Sequence, residues 1–312
     1  MGFDTSFHPV DLPLVQGRLL PFLAGWGADD GIDDLLARAV RLRKVRFRAK
    51  AWALGALEYA LDHDEIPLDA QLHVWGRPLF IVGDKAGQVA EDVQRYLSSS
   101  EADVEVLAAQ MLRRLDPALP GRIEPDMSGI LPGDDAIARE LATPLRMLRG
   151  AALALRAGRS HVRRPGDGRE FDAALLLTRE VPYCLVEFAA ALLPGWMSRG
   201  STWPTRLCAD AGIPAEYFHP HTALTGLLHE EFPSLRWPHP PATITGNYTI
   251  GGLVPTADVA AARAHLNGHS HELKCDALDT QKIDEAMGLA EHLGLAFCEA
   301  TDLYSGIEGR LN

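Results

Sequence analysis

The run from Ala173 to Trp196 constrains this 312-residue chain more than any other feature. It is long and apolar enough for a helix to cross a bilayer. Arg179, Glu180, Pro182 and Glu187 interrupt it, however, and charges are costly at membrane depth. The segment therefore reads as the buried core of a helical body, with breaks expected near Pro182 and at Pro194-Gly195. At 47% hydrophobic and 23% charged residues the composition is that of an ordinary folded chain. A chain of this length buries roughly three quarters of its unfolded surface, so it needs neither metal nor disulfide merely to fold.

Around that core the pattern is mainly helical. Phe3 to Val10 has strand character and leads into a helix from about Asp11. The acidic run at residues 29–34 suits a helix N-terminus. Leu35, Leu42, Val45, Ala49, Trp52, Ala56 and Ala60 then recur at three- and four-residue steps, predicting one long helix to about Leu61. Residues 72–82 predict a strand, a turn and a second strand, and helices are expected over 86–97 and 101–115. Pro and Gly crowd residues 117–133. One large domain, 1–312, is the first reading, and this stretch is the linker if the chain divides into 1–116 and 134–312.

Farther on, Asp134 is placed to cap a short helix, and Thr143-Pro144 to start another that Gly158 ends. Ile244 to Val254 predicts a strand with a bulge at Gly251-Gly252. A helix from Thr256 to His265, another from Ile283 to Leu293 and a last strand from Leu295 complete the chain. Strands at both ends and near 244–254 predict that the termini meet. The expected fold is α+β, mainly helical, with a small mixed β-sheet formed by the termini and residues near 244–254, and a helical middle.

The net charge is -12, from 30 basic and 42 acidic residues. That argues against a nucleic-acid surface and favours a basic protein partner. Cys184, Cys208, Cys275 and Cys298 form no CxxC pair, so a reducing cytoplasm is expected. The start of the chain has no signal-peptide pattern, and its Arg-over-Lys bias is typical of GC-rich bacterial coding. Gly2 and Ser6 fit a loose myristoylation pattern that such a source would not use.

Candidate chemistry concentrates at five places. His219, His221 and His229 sit in FHPHTALTGLLHEEF. On an extended segment an HxH pair points both rings to one side. With His229 it makes three zinc ligands and an open position, and Glu230 or Glu231 beside it becomes the base on a bound water. The plainer account is a set of solvated or capping loop histidines, and no metal is favoured. His265, His269, His271 and Cys275 form a second, looser group in a surface turn. Arg38, Arg41, Arg43, Lys44, Arg46, Arg48 and Lys50 load the long helix with positive charge, best used in internal salt bridges. Glu187 lies in the apolar core segment, so it is expected to be paired, hydrogen-bonded or raised in pKa; pairing with an Arg such as Arg179 is the first reading, and a binding role the alternative. Asp4, His8 and Asp11 near the start meet Glu299, Asp302 and Tyr304 near the end if the terminal strands pair, as a cation-binding group or as strand-end caps.

The chain has no GxSxG elbow, no Walker loop and no GxGxxG. FDTSFHPVDLPLVQGRLLPFL at the start resembles end segments of bacterial immunity-like proteins that neutralise toxins, as do GGLVPTADVAAARAHL and AEHLGLAFCEATDLY at the end. The resemblance covers about a quarter of the chain and carries over no catalytic residue. It implies a cytoplasmic protein-binding module, an immunity protein steered to a basic toxin by its acidic surface. The alternative from the histidine loop is a zinc-dependent hydrolase.

Overall fold

The computed structural model describes residues 4–63, 85–125, 131–198, 202–301 and 303. The strand–turn–strand expected at 72–82 and the residues Asp302 and Tyr304 lie outside them. Strand β1 (Thr5–Val10) opens the chain. Asp11 then caps the next turns, its carboxylate accepting from Leu14 N at 2.9 Å. Those turns are α1 (Leu12–Leu14), a π-wound stretch (Val15–Leu19) and α2 (Leu20–Leu23). The long helix α3 (Asp33–Asp62) follows, as its apolar spacing predicts. Next come α4 (Ala86–Ser98), α5 (Val104–Leu115) and α6 (Asp134–Arg156). A short hairpin, β2 (His161–Arg163) and β3 (Glu170–Asp172), introduces the apolar helix α7 (Ala173–Leu192). The remainder is β4 (Trp196–Ser198), α8 (Pro204–Ala211), α9 (Gly226–Glu231), β5 (Ile250–Val254), α10 (Val259–Gly268), α11 (Ala277–Leu293) and β6 (Ala296–Thr301).

The termini do meet. β1 and β6 pair along their whole lengths, and the sheet order is β4-β1-β6-β5. Its pairings are all antiparallel rather than mixed. β5 is shorter than the expected 244–254, and its register shifts between Ile250 and Leu253, the bulge anticipated at Gly251-Gly252. Helices cover both faces, so every residue of β1, β5 and β6 is buried. On one face Val10, Ala296, Cys298 and Ala300 join a core with α2, α6 and α7. On the other, Phe7, Trp196, Val254 and Phe297 join a core with α4, α8, α10 and α11. A third core surrounds the C-terminal half of α3 and α5, and takes in Leu119 and Ile123 from the Pro/Gly-rich stretch.

Two expected helix breaks do not occur. α6 runs through Pro144 and α7 through Pro182. A proline inside a helix costs about 3 kcal/mol. Against that, α7 buries Leu177, Val181, Leu185, Val186, Phe188 and Leu192, each contributing roughly 1.5–3 kcal/mol. Burial wins, and the helix continues. It remains a core helix: among the described residues no helix is long and apolar enough to cross a membrane.

The basic face of α3 is consumed internally. Arg43 pairs with Glu140 at 3.1 Å, Lys44 bridges Glu101 and Asp134, and Arg48 meets Glu101 at 3.1 Å. Arg41 caps the carbonyls of Leu97 and Ser99.

Candidate functional site

A cavity of about 370 Å³ lies where α7, the 3-10 turn His221–Leu224, α9 and the loop 237–249 converge. α7 presents Thr178, Arg179, Pro182 and Tyr183 to it. Pro182 has no N–H to offer the Thr178 carbonyl four residues back, so an acceptor in the cavity wall lacks its usual helical partner. Leu224, Leu228 and Phe232 seat the turn and α9 in the core shared with α7. Trp237 fastens the loop by donating from Nε1 to the Phe232 carbonyl at 3.2 Å. Its ring stacks on His229, centroids 4.1 Å apart.

The far end of the loop is held by the sheet. Thr249 N donates to Thr301 Oγ1 at 3.0 Å, and Thr249 Oγ1 to the Gly246 carbonyl at 2.6 Å. Tyr248 between them is the one non-glycine residue with positive φ among those described, at 56°. A bulky side chain adopts that left-handed conformation only at a cost. Here the twist sets the exposed Tyr248 ring edge-on to Tyr183, centroids 5.8 Å apart.

Behind the cavity wall lies a buried carboxylate. Glu299 on β6 is 0% exposed. It accepts from Gly252 N at 2.9 Å, from Thr205 N at 3.1 Å and from Thr205 Oγ1. Thr205 Oγ1 lies 2.6 Å from Thr243 Oγ1, which also accepts from Trp203 Nε1 at 3.0 Å and lines the cavity. Burial pushes the Glu299 pKa up to about 7, although its three donors favour the charged form.

The predicted site residues are distributed differently from expectation. His221 and His229 both line the cavity; His219 and Glu230 do not. His219 pairs its backbone with Leu253, and the chain leaves extended geometry at His221, where the 3-10 turn begins. The HxH alternation therefore fails, and among the described residues no group of three or more His, Cys, Asp or Glu is arranged to hold a metal ion. The zinc site of His219, His221 and His229 is thus not formed. In its place His221 stands alone, its Nδ1 buried without a hydrogen-bond partner. Burial lowers its pKa to about 4, opposed by a backbone hydrogen bond to Gly251, so the ring is neutral at pH 7 and Nδ1 is a free acceptor. His265 and His269 turn to the carbonyls of Pro214 and His265, and Cys275 to Thr280.

At the termini, His8 and Glu299 do not meet. Phe7 pairs with Glu299 and His8 with Cys298, so strand alternation sends them to opposite faces. Burial, then the charge of Arg46, lower the His8 pKa to about 3. Asp4 is exposed just ahead of β1, and Asp11 is the helix cap already described. Glu187 faces Arg43 and Glu140 in a cavity of about 150 Å³, not Arg179. Burial, with the Glu140 carboxylate adding to it and Arg43 opposing, raises its pKa to about 7.

Comparison of this chain with protein-family models, curated proteins and solved structures finds no match.

Sequence reasoning missed Arg179 as a cavity residue, along with Tyr183, Trp237, His239 and Tyr248. The signal available was the Pro- and Trp-punctuated stretch 232–241, whose lack of regular structure marked a loop without saying where it folds.

Proposed function

We propose that this chain is a binding protein whose ligand occupies the cavity between α7, α9 and the 237–249 loop. The observation carrying this reading is the cavity's lining: aromatic rings from Tyr183, Trp237 and Tyr248 beside a few polar side chains, Arg179 and His221 among them. Small-molecule sites combine these features in concavities of roughly 300–1,000 Å³. His221 Nδ1 lacks a partner, and Arg179 is exposed and in no ion pair among the described residues. With no metal-binding group among the described residues, binding is favoured over zinc-dependent hydrolysis.

A second reading is capture of a basic protein, as an immunity protein does. It is supported by the net charge of -12 and by Asp29, Asp30, Asp33, Asp134 and Asp135, which line open grooves beside α3 and α6.

A fragment library screened by thermal shift separates the two. A ligand that binds only the folded state raises its stability by mass action. Thr222 is exposed at the cavity wall, so Thr222→Trp fills the space without touching the core. The cavity reading expects hits that vanish in Thr222→Trp. Hits indifferent to that substitution, or none, would contradict it, and salt-sensitive capture of a basic protein would then favour the second reading.

A further inference from the structure

We infer that the cavity selects a small organic oxyanion carrying a planar ring, a choice opposite in sign to the charge of the molecule. The inference rests on the cavity reading above and names its ligand class.

Acidic residues fill 42 of the 312 positions, yet none of the 18 residues lining the cavity is Asp or Glu. The lining instead holds Arg179 and the three imidazoles of His221, His229 and His239. The nearest acids in sequence are directed elsewhere. Glu180 follows Arg179 on α7, about 100° around the helix, and does not line the cavity. Glu231 is bound to Arg156. Glu299 lies behind Thr205 and Thr243, its oxygens turned to the donors that hold it. A cation entering here would meet a guanidinium and no carboxylate.

Arg179 supplies the recognition. A guanidinium always carries its charge and offers a planar fork of donors that fits a carboxylate or phosphate. Among the described residues Arg43, Arg149 and Arg263, which are buried or half-buried, are committed: Arg43 to Glu140, Arg149 to Asp29 and to backbone carbonyls, Arg263 to Asp284 and Glu291. Arg179 has no such partner among the described residues. One helical turn away on the same face stands Tyr183, with Tyr248 against it. A ring attached to the anion would lie against these aromatic side chains.

The test uses isosteric probes on the full chain: benzoate and phenyl phosphate as oxyanions, benzamide as the neutral form, benzylamine as the cation. Affinities are read by titration calorimetry or ligand-observed NMR in wild type and in Arg179→Gln. Arg179 is exposed and in no ion pair among the described residues, so the variant keeps the fold, which a thermal melt verifies. The expected result is that at least one oxyanion binds about tenfold or more tightly than benzamide, and that Arg179→Gln removes the preference. Equal or tighter binding of benzamide or benzylamine would overturn the inference and leave the cavity reading standing. So would library hits lost in Thr222→Trp while neither oxyanion binds at about 10 mM, a concentration at which millimolar affinity registers. Absence of every cavity-dependent hit would overturn both.

Discussion

At the scale of single residues, the buried carboxylate Glu299 makes the sharpest prediction. Its pKa in the fold is about 7, against 4.5 for an ordinary Glu. A carboxyl raised in this way favours the folded state while protonated. Its contribution is complete below about pH 4.5 and is lost as pH rises through about 7. The shift corresponds to a contribution on the order of 3 kcal/mol. Glu187 acts in the same direction. The buried imidazoles of His8 and His221 act oppositely, since their lowered pKa values make stability fall as pH drops below about 6.5. Glu299→Gln isolates the first effect, because the cost of the amide itself does not titrate. In urea denaturation, the stability advantage of wild type over Glu299→Gln should shrink by roughly 2–3 kcal/mol between pH 5 and pH 8. An advantage that stays constant would mean that Glu299 is ionised in the fold throughout.

At the scale of elements, β5 shows how sequence spacing and tertiary contact share the work. The Gly-Gly interruption is readable as a bulge, but the reason both positions are glycine appears only in three dimensions. A Cβ on Gly251 would come within 2.5 Å of Glu299 Oε1, and one on Gly252 within 2.9 Å of Phe218 and Thr205. Gly251→Ala should therefore displace the carboxyl from its donors and destabilise the protein by about 2–4 kcal/mol in chemical denaturation. A loss under about 0.5 kcal/mol, the size of an ordinary surface change, would contradict that packing. Helix α3 was legible from its apolar period, and the later part of α11 from the segment Ile283 to Leu293 ahead of Gly294. Pro144 and Pro182 misled because local propensity is a weak prior beside burial of a whole helix face. Nothing local distinguishes a proline that ends a helix from one that a packed core carries through.

At the scale of the whole molecule, the meeting of the termini was legible because strand-like segments stood at both ends of a helical chain. The cavity was less so. It joins residues 178–183, 221–229 and 237–250, and only the histidines announced themselves as chemistry. Their spacing suggested a metal because it could not show that His219 would be drawn into a bridge with Leu253 while His221 turned inward. Net charge and the cavity point to partners of opposite sign: the charge sums the whole chain at -12, whereas the cavity lining holds no carboxylate.

The most direct measurement is a titration of ¹⁵N-histidine-labelled protein with benzoate, followed through the imidazole resonances at pH 7. Before ligand is added, His221 should appear as a neutral ring. Saturable shifts confined to His221, His229 and His239, with His8, His269 and His271 unmoved, are the predicted result. Shifts at His269 and His271 instead, or no shift at any ring with either benzoate or phenyl phosphate, would contradict an oxyanion site between α7, α9 and the 237–249 loop.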